Sequence, residues 1–446
     1  VTATAADPVL VRSIGRWSLA AMVLNNIIGT GVFILPGTIG AQLGWMSVVA
    51  WIVAALLTVA LMLCFAEVAS RFTAAGGAYL FTRAAFGPFV GLQIGWLTYF
   101  SRAVTAALQA NVFATYLAEV WPRAGTRLGS VLATTLFIGF LTAINLRSVR
   151  SGARTSTVLA GIKLASLFAF GVLGLIWIAG HDAPTPLPAA PTLGGWLGAI
   201  LLLLFAYSGY ESALIPAGEA TNPRRDSPFA LFLGLGLVTV VYLAAQITVL
   251  ATLPDPGATN RPLAASVRAM LGETGAIVIS IAALISVYGW LAANLLAAPR
   301  LSMAMAERGD LPRVFAHVHP VFRTPWVSIL TFGLLSWVLA NQAGLLQNLG
   351  LSAVSRLFIY GGVCAALPVL RRRERAGNGV VGPALFHAPV GTALAVFCVM
   401  LSIVLATRMT VREIIIMLAL FVLATLWWQA TGRTRVAEGD RVRGLA

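Results

Sequence analysis

The sequence predicts an all-α integral membrane protein of about twelve transmembrane helices, on the strength of three observations. Of 446 residues, 59% are hydrophobic and only 10% charged, with a mean hydropathy of +0.88, whereas a soluble domain carries about 25% charged residues. The apolar segments have helical length, unlike the alternating stretches of about ten residues that build a barrel. The basic residues fall in short loops whose basicity alternates along the chain.

Twelve spans follow, at approximately 17–40, 45–69, 86–118, 129–147, 156–180, 194–218, 229–252, 273–304, 326–342, 350–370, 386–407 and 411–430. With both termini on one side, the loops there hold 21 arginines, including Arg71, Arg83, Arg308 and the tract Arg371 to Arg375. The other side holds six: Arg123, Arg127, Arg261, Arg268, Arg408 and Arg412. The positive-inside rule then makes both termini cytoplasmic, with residues 1–16 leading in and 431–446 forming a tail, in a bacterial-type inner membrane. A net charge of +15 therefore marks topology, and no nucleic-acid partner is expected. The opening stretch Val1 to Ile14 is mildly polar and shows no cleavable-signal pattern. Arg371 to Arg375 reads as a determinant of topology and lipid-headgroup contact, and Glu219 to Pro223 as a loop organiser.

Cys64, Cys364 and Cys398 lie in separate apolar segments, with no spacing for pairing or for a metal. His181, His317, His319 and His387 sit in or beside loops, and without a neighbouring thiol or carboxylate cluster they read as solvated. No metal and no cofactor are expected. A membrane enzyme would need several ionisable residues at one depth, and the spans show no such set.

Two spans are interrupted, the first by Gly29-Thr30-Gly31 and the sixth by Tyr207-Ser208-Gly209-Tyr210-Glu211, with Pro36 and Pro216 following. A helix crossing lipid must satisfy its own backbone, so a break is tolerated where it is buried in protein or lines a cavity. Breaks in spans one and six make 17–180 and 194–370 candidate repeats of five spans each. Five is odd, so the second repeat enters the membrane from the opposite side, giving an inverted repeat. Spans 11 and 12 (386–430) are left over as packing or oligomerisation elements, which leaves room for a homodimer.

If the first helix opens at its glycines, Thr30, Gly31 and Val32 begin a new half-helix whose N–H groups suit a carboxylate. The preceding half-helix ends in free carbonyls near Asn26 and Ile27, and the second break adds those around Phe205, Ala206 and Ser208, beside Gly209. An α-amino acid carries a carboxylate and an ammonium close together and fits both ends. Gly29 and Gly31 let the ligand approach the backbone. Close helix packing is the alternative use of Gly-x-Gly, but the mirrored second break favours a binding site.

Lys163 is the single lysine of the chain and lies within span five. A lysine at mid-helix costs about 2.5–3.5 kcal/mol on insertion scales, so it is expected to face a cavity and to act. Unlike arginine, it can lose its proton. A snorkelling lysine near the cytoplasmic end is the competing reading. Arg102 in span three could attract an acidic side chain or pair with Glu211 as a gate, and Arg356 in span ten could meet a carbonyl or a carboxylate. Glu67 reads as a cytoplasmic hydrogen-bond anchor.

The runs IIGTGVFILPG (27–37), EVASRFTAAGGAYLFTRAAFGPFVG (67–91) and FAYSGYESALIPAGEATNPRRDSP (205–228) resemble the signatures of the amino acid–polyamine–organocation permeases, and the resemblance covers spans 1 to 10 in order. It implies a LeuT-type fold of five plus five inverted helices with two appended, and an amino acid held at the Gly29–Gly31 break. It also implies that Ser101 lies at the level of the substrate pocket. Phe205 takes the place of the family's gating aromatic, and Glu211 that of a helix-six glutamate. In sodium-independent members a lysine on helix five stands where sodium-coupled relatives hold the ion. Lys163 matches that pattern and implies proton-linked symport or exchange without sodium. Ser286 in span eight keeps a sodium site open. The substrate expected first is a neutral amino acid, then an acidic one, then cationic amino acids or polyamines carried by an antiporter. A non-transporting amino-acid sensor is the rival.

Overall fold

The computed structural model describes residues 16–72, 76–147, 152–182, 191–213, 223–377 and 382–443. The sequence expectations for residues 1–15, for Pro216 and for the tract from Glu219 to Asn222 fall outside them. Among the described residues there is no β-strand.

Glycine and proline set where the helices break. The first span is the pair α1 (Arg16–Ile27) and α2 (Gly31–Leu43), bent by 50°. Then come α3 (Met46–Ala69), the short α4 (Gly77–Phe86) and α5 (Pro88–Val120). The third span thus starts with Pro88 in the first turn after Gly87, where a missing N–H costs nothing, rather than at residue 86. Next are α6 (Arg127–Arg147), α7 (Gly152–Gly180), α8 (Leu193–Ala206) and the single turn α9 (Tyr210–Ala213). The second half continues with α10 (Pro223–Thr252) and α11 (Pro262–Glu307). Gly272, at φ +74°, turns the chain inside α11, so the expected eighth span begins just past it. Last are α12 (Trp326–Gln342), α13 (Leu345–Arg375), α14 (Gly391–Ala406) and α15 (Val411–Arg443), whose helix runs on through most of the expected C-terminal tail.

Seven of these helices are long and apolar enough to cross a membrane, and the bent α1–α2 pair makes an eighth span. α8, α12 and α14 are shorter apolar helices, and α5 is 33 residues long. The bilayer-facing surface is apolar: Leu56, Leu136, Phe140, Leu175, Val240 and Ile415 are exposed. The protein is an all-α integral membrane protein.

α5 is the central post and packs against α4, α11, α12 and α13. Ala103, Ala106, Ala107 and Ala110 on it are fully buried, and such small residues allow neighbouring helices to approach closely. α1 packs on α10, α2 on α8, and α10 and α11 on α7. The two broken spans are thereby pressed together.

Three of the arginines that count toward topology are drawn into contacts at the basic face, Arg71 buried and Arg371 and Arg373 half-buried. Glu67, fully buried, accepts from Arg371 Nε (2.7 Å) and Nη2 (2.6 Å), from Arg71 Nη2 (3.2 Å) and from the Ala388 N–H (2.8 Å). Arg71 also pairs with Glu374 at 2.6 Å, and Arg373 donates to the Ala84 carbonyl. Arg71, Arg371 and Arg373 therefore tie α3, α4, α13 and the start of α14 together, correcting their reading as loop and headgroup charges. Nearby, Asp310 accepts from Arg83 Nη1 (2.7 Å) and from the Tyr79 hydroxyl. Burial and the Asp310 carboxylate push that hydroxyl up to about 12, so it stays a donor. On the opposite face Glu119 bridges Arg261 (3.0 Å) and Arg268. His319 Nδ1 accepts the N–H groups of Val321 and Phe322, closing a turn.

Removing one member of a buried ion pair costs about 3–5 kcal/mol. Glu67→Ala is therefore expected to lower the apparent melting temperature of the detergent-purified protein sharply, and Glu67→Gln less. An unchanged melting temperature for Glu67→Ala would show that Glu67 is no anchor.

Candidate functional site

The two breaks touch. A Cβ on Gly31 would meet the Ala206 Cβ at 2.9 Å, so only glycine lets α2 start against the end of α8. Gly209, at φ +110°, brings its Cα against the Asn26 carbonyl, where a side chain would collide with that oxygen. The surrounding backbone is deeply buried, Ile27, Ile28 and Val32 being at most 1% exposed and Thr30 2%.

Most carbonyls freed by the breaks have a side-chain partner. The Tyr242 hydroxyl of α10 lies 3.2 Å from both the Ile27 and the Ala206 carbonyls and bridges the two broken ends. Lys163 Nζ, on α7, donates to the Asn25 carbonyl at 3.0 Å and to the Ile28 carbonyl. Its side chain is buried, so it does not snorkel; it caps the C-terminal end of α1, where carbonyl dipoles favour a cation. Ser208 Oγ turns back to the Phe205 carbonyl at 2.6 Å. Tyr116 donates to the Phe33 carbonyl (2.7 Å), and Gln246 to the Pro36 carbonyl (3.1 Å) while accepting from Trp51.

The start of α2 is different. Thr30, Gly31 and Val32 open the helix, so their N–H groups lack a preceding-turn acceptor. Thr30 Oγ1 is buried without a partner and makes no cap. On the side of the break away from α8, Gly29 faces Gln109 Nε2 of α5 and Trp290 Nε1 of α11, 3.8 and 3.9 Å from where a Cβ would stand. Gln109 Oε1 is also buried without a partner. Unmatched buried polar atoms are rare in folded proteins, and two of them flank the same half-helix start.

The charged residues pair differently from the expected gate. Glu211 does not meet Arg102; it meets Arg356 of α13, Nη1 to Oε1 at 2.7 Å. Its other oxygen accepts from the Tyr360 hydroxyl (3.2 Å) and from the Gly209 N–H (2.8 Å). The Arg356 guanidinium stacks 5.5 Å from the Phe205 ring and reaches Thr105 Oγ1 at 3.4 Å. Arg102 instead shares Asn294 of α11: its Nη1 donates to Oδ1 (3.4 Å), and its carbonyl accepts from Nδ2 (3.0 Å). A 145-residue separation hides the Glu211–Arg356 partnership in the sequence. Ser101, one residue from Arg102, is buried on α5, and its carbonyl accepts from Thr105. Ser286 is buried on α11.

Asn26, Ile27, Gly29, Thr30, Gly31, Val32, Phe205, Ala206, Ser208 and Gly209 thus line the two touching breaks. Tyr242, Gln109 and Trp290 also stand at the breaks, with no motif of their own. The cysteines depart most from the sequence expectation: Cys64, Cys364 and Cys398 converge, with all three sulfurs within 4.8 Å of one another.

A family model described as "Amino acid permease" matches residues 14–434. The chain is 30% identical over 384 residues to the serine/threonine exchanger SteT of Bacillus subtilis, covering 83% of this chain and 85% of that protein. It is 26% identical to the methylthioribose transporter of the same organism, covering 82% of each chain. It is 25% identical to the branched-chain amino acid permease BcaP, also of Bacillus subtilis, covering 84% of each. With touching broken helices at its centre and a family match over nearly its whole length, the chain belongs to the amino acid permease family and is a membrane transporter of amino acids rather than an enzyme.

Proposed function

We propose that the protein is a sodium-independent secondary transporter of neutral amino acids, working by exchange or proton-coupled symport in a bacterial inner membrane with both termini cytoplasmic. The substrate carboxylate binds the N–H groups of Thr30, Gly31 and Val32. Its ammonium binds carbonyls of both breaks: Ile27, which has a second lone pair beside Tyr242, Ser208, and Phe205 in place of the Ser208 hydroxyl that it now accepts. Ser101, Ala206 and Gly209 complete the wall, and Phe205 closes over the ligand. The halves 17–180 and 194–370 act as inverted repeats, and one bundle rocks about the fixed site.

The observation that carries the reading is the asymmetry of the first break. Its carbonyl end is already held by Lys163 and Tyr242, whereas its N–H end and Thr30 Oγ1 are open. Lys163 places a tethered cation against the Asn25 and Ile28 carbonyls, leaving little reason for a sodium ion there. Glu211 is committed to Arg356, and Arg102 adds positive charge, so a cationic substrate would find no spare carboxylate. A neutral side chain carrying a hydroxyl can satisfy both Gln109 Oε1 and Thr30 Oγ1. SteT, by its name, exchanges serine and threonine, and BcaP carries branched-chain residues; both substrate sets are neutral.

Uptake of labelled amino acids into proteoliposomes tests this directly. Serine, threonine and other neutral amino acids are expected to be taken up or exchanged equally well in sodium and choline buffers, and arginine hardly at all. Sodium dependence would remove the role given to Lys163, and no transport of any neutral amino acid would end the proposal.

Two variants test the site. Gly31→Leu forces a side chain into Ala206 and is expected to abolish binding, read by ligand-induced thermal stabilisation; near-normal binding would put the site elsewhere. Gln109→Ala is expected to weaken serine and threonine about tenfold, the worth of one buried hydrogen bond, while sparing alanine. Equal losses for all three would make Gln109 a packing residue.

A further inference from the structure

The chain has three cysteines. They come from three helices, α3, α13 and α14, and all three are fully buried. Buried cysteine usually behaves as a small hydrophobe, a role that gives no reason for every cysteine of the chain to share one spot. The spacing fits a metal. With metal–sulfur bonds of about 2.3 Å, a trigonal site places its sulfurs about 4.0 Å apart and a linear one about 4.6 Å. The observed limit of 4.8 Å spans both arrangements.

We propose that Cys64, Cys364 and Cys398 form a binding site for a soft, thiophilic metal ion of the zinc, cadmium or copper(I) class. Sulfur donors select soft ions over calcium, magnesium or sodium. A divalent ion that displaces two thiol protons to solvent leaves two thiolates and one thiol around it, a neutral set. Neutrality matters, because a net charge in this apolar interior is costly. Glu67, three residues past Cys64, has its charge matched by Arg371 at 2.6 Å. Glu67 lies one turn beyond Cys64 on α3, toward the basic face.

Occupancy would fasten three helices beside the gate. Cys364 stands one turn past Tyr360 on the same face of α13. Phe65, next to Cys64, packs edge-on against Tyr360 (5.2 Å) and Tyr210 (5.7 Å). Tyr360 in turn donates to Glu211. A metal bridging the thiols would therefore hold α3, α13 and α14 fixed under the Glu211–Arg356 pair and slow any movement of α13 against α3. The site is an inhibitory one, distinct from the broken-helix site.

The test is a cadmium titration of the reduced, desalted full-length protein in detergent, followed by its thiolate-to-metal charge-transfer absorption. The expected result is saturation at one ion per chain, with release of two protons and a raised apparent melting temperature, since a ligand that binds the folded state stabilises it. Cys64→Ser, Cys364→Ser and Cys398→Ser should each weaken binding by more than the roughly 10–100-fold that loss of a supporting partner costs. A variant that melts early without metal is replaced by the alanine variant, which keeps the apolar packing. No absorption band, or a band that survives these substitutions, overturns the site. In proteoliposomes, cadmium should slow uptake by the native protein and not by Cys364→Ser, with recovery on adding a chelator. Unchanged uptake by metal-loaded protein overturns the inhibitory role.

Discussion

A helix broken inside a membrane leaves backbone groups that water cannot reach, and each must find a partner within the protein. Much of this architecture follows from that constraint. The carbonyls at the end of α1 draw in Lys163 from α7 and Tyr242 from α10. The Phe33 and Pro36 carbonyls of α2 draw in Tyr116 from α5 and Gln246 from α10. Three helices are thereby fixed around the first break, and Tyr242 ties it to the second by sharing the Ala206 carbonyl. What the protein leaves unmatched is as telling. The opening turn of α2, with Thr30 Oγ1 and Gln109 Oε1, retains the polar capacity that a ligand would complete.

The same economy governs charge. Glu211 and Arg356 neutralise each other across α9 and α13, and the second Glu211 oxygen also accepts the Gly209 N–H of the break. Breaking such a half-buried pair strands a charge away from bulk water, so the gate region holds together as one unit: Phe205 on the guanidinium, Tyr360 on the carboxylate, Gly209 at the turn. Arg102 stands apart and shares a neutral amide, Asn294. Among the described residues the site region therefore carries no unmatched negative side chain, which bears directly on the charge of the solute it can accept.

The fold was legible where physics acts locally. Span length, the basic loops and the glycines of both breaks are properties of short windows, whereas the close approaches of Gly31 to Ala206 and of Gly209 to Asn26 are set by packing. Lys163 was legible because a lone lysine in an apolar run is expensive. Partnerships were not. Glu211 and Arg356, Arg102 and Asn294, and the three cysteines are joined only by packing, and one-dimensional spacing carries no trace of them. Arg71 and Arg371 misled for the opposite reason: a count of loop charges cannot tell a solvated arginine from one folded onto Glu67. Gln109 and Trp290 gave no signal, since a glutamine or tryptophan in a membrane helix is common without being a ligand.

Lysine, rather than arginine or a metal ion, suits the position beneath α1. An ammonium is a compact cation with three rotatable donors and reaches two carbonyls on adjacent turns, which a rigid guanidinium fork does less well. A sodium ion would supply similar charge, but it must be gathered from solution and stripped of water in every cycle. Lys163 is tethered, so its charge is present unless it loses a proton. In the proposed cycle the variable that loads or unloads this end of α1 is therefore protonation rather than ion concentration. The carbonyls that the amine holds lie two residues before and one residue after Ile27, the proposed ammonium ligand. Whatever changes the hold of Lys163 on Asn25 and Ile28 thus changes the backbone that the substrate itself must grip.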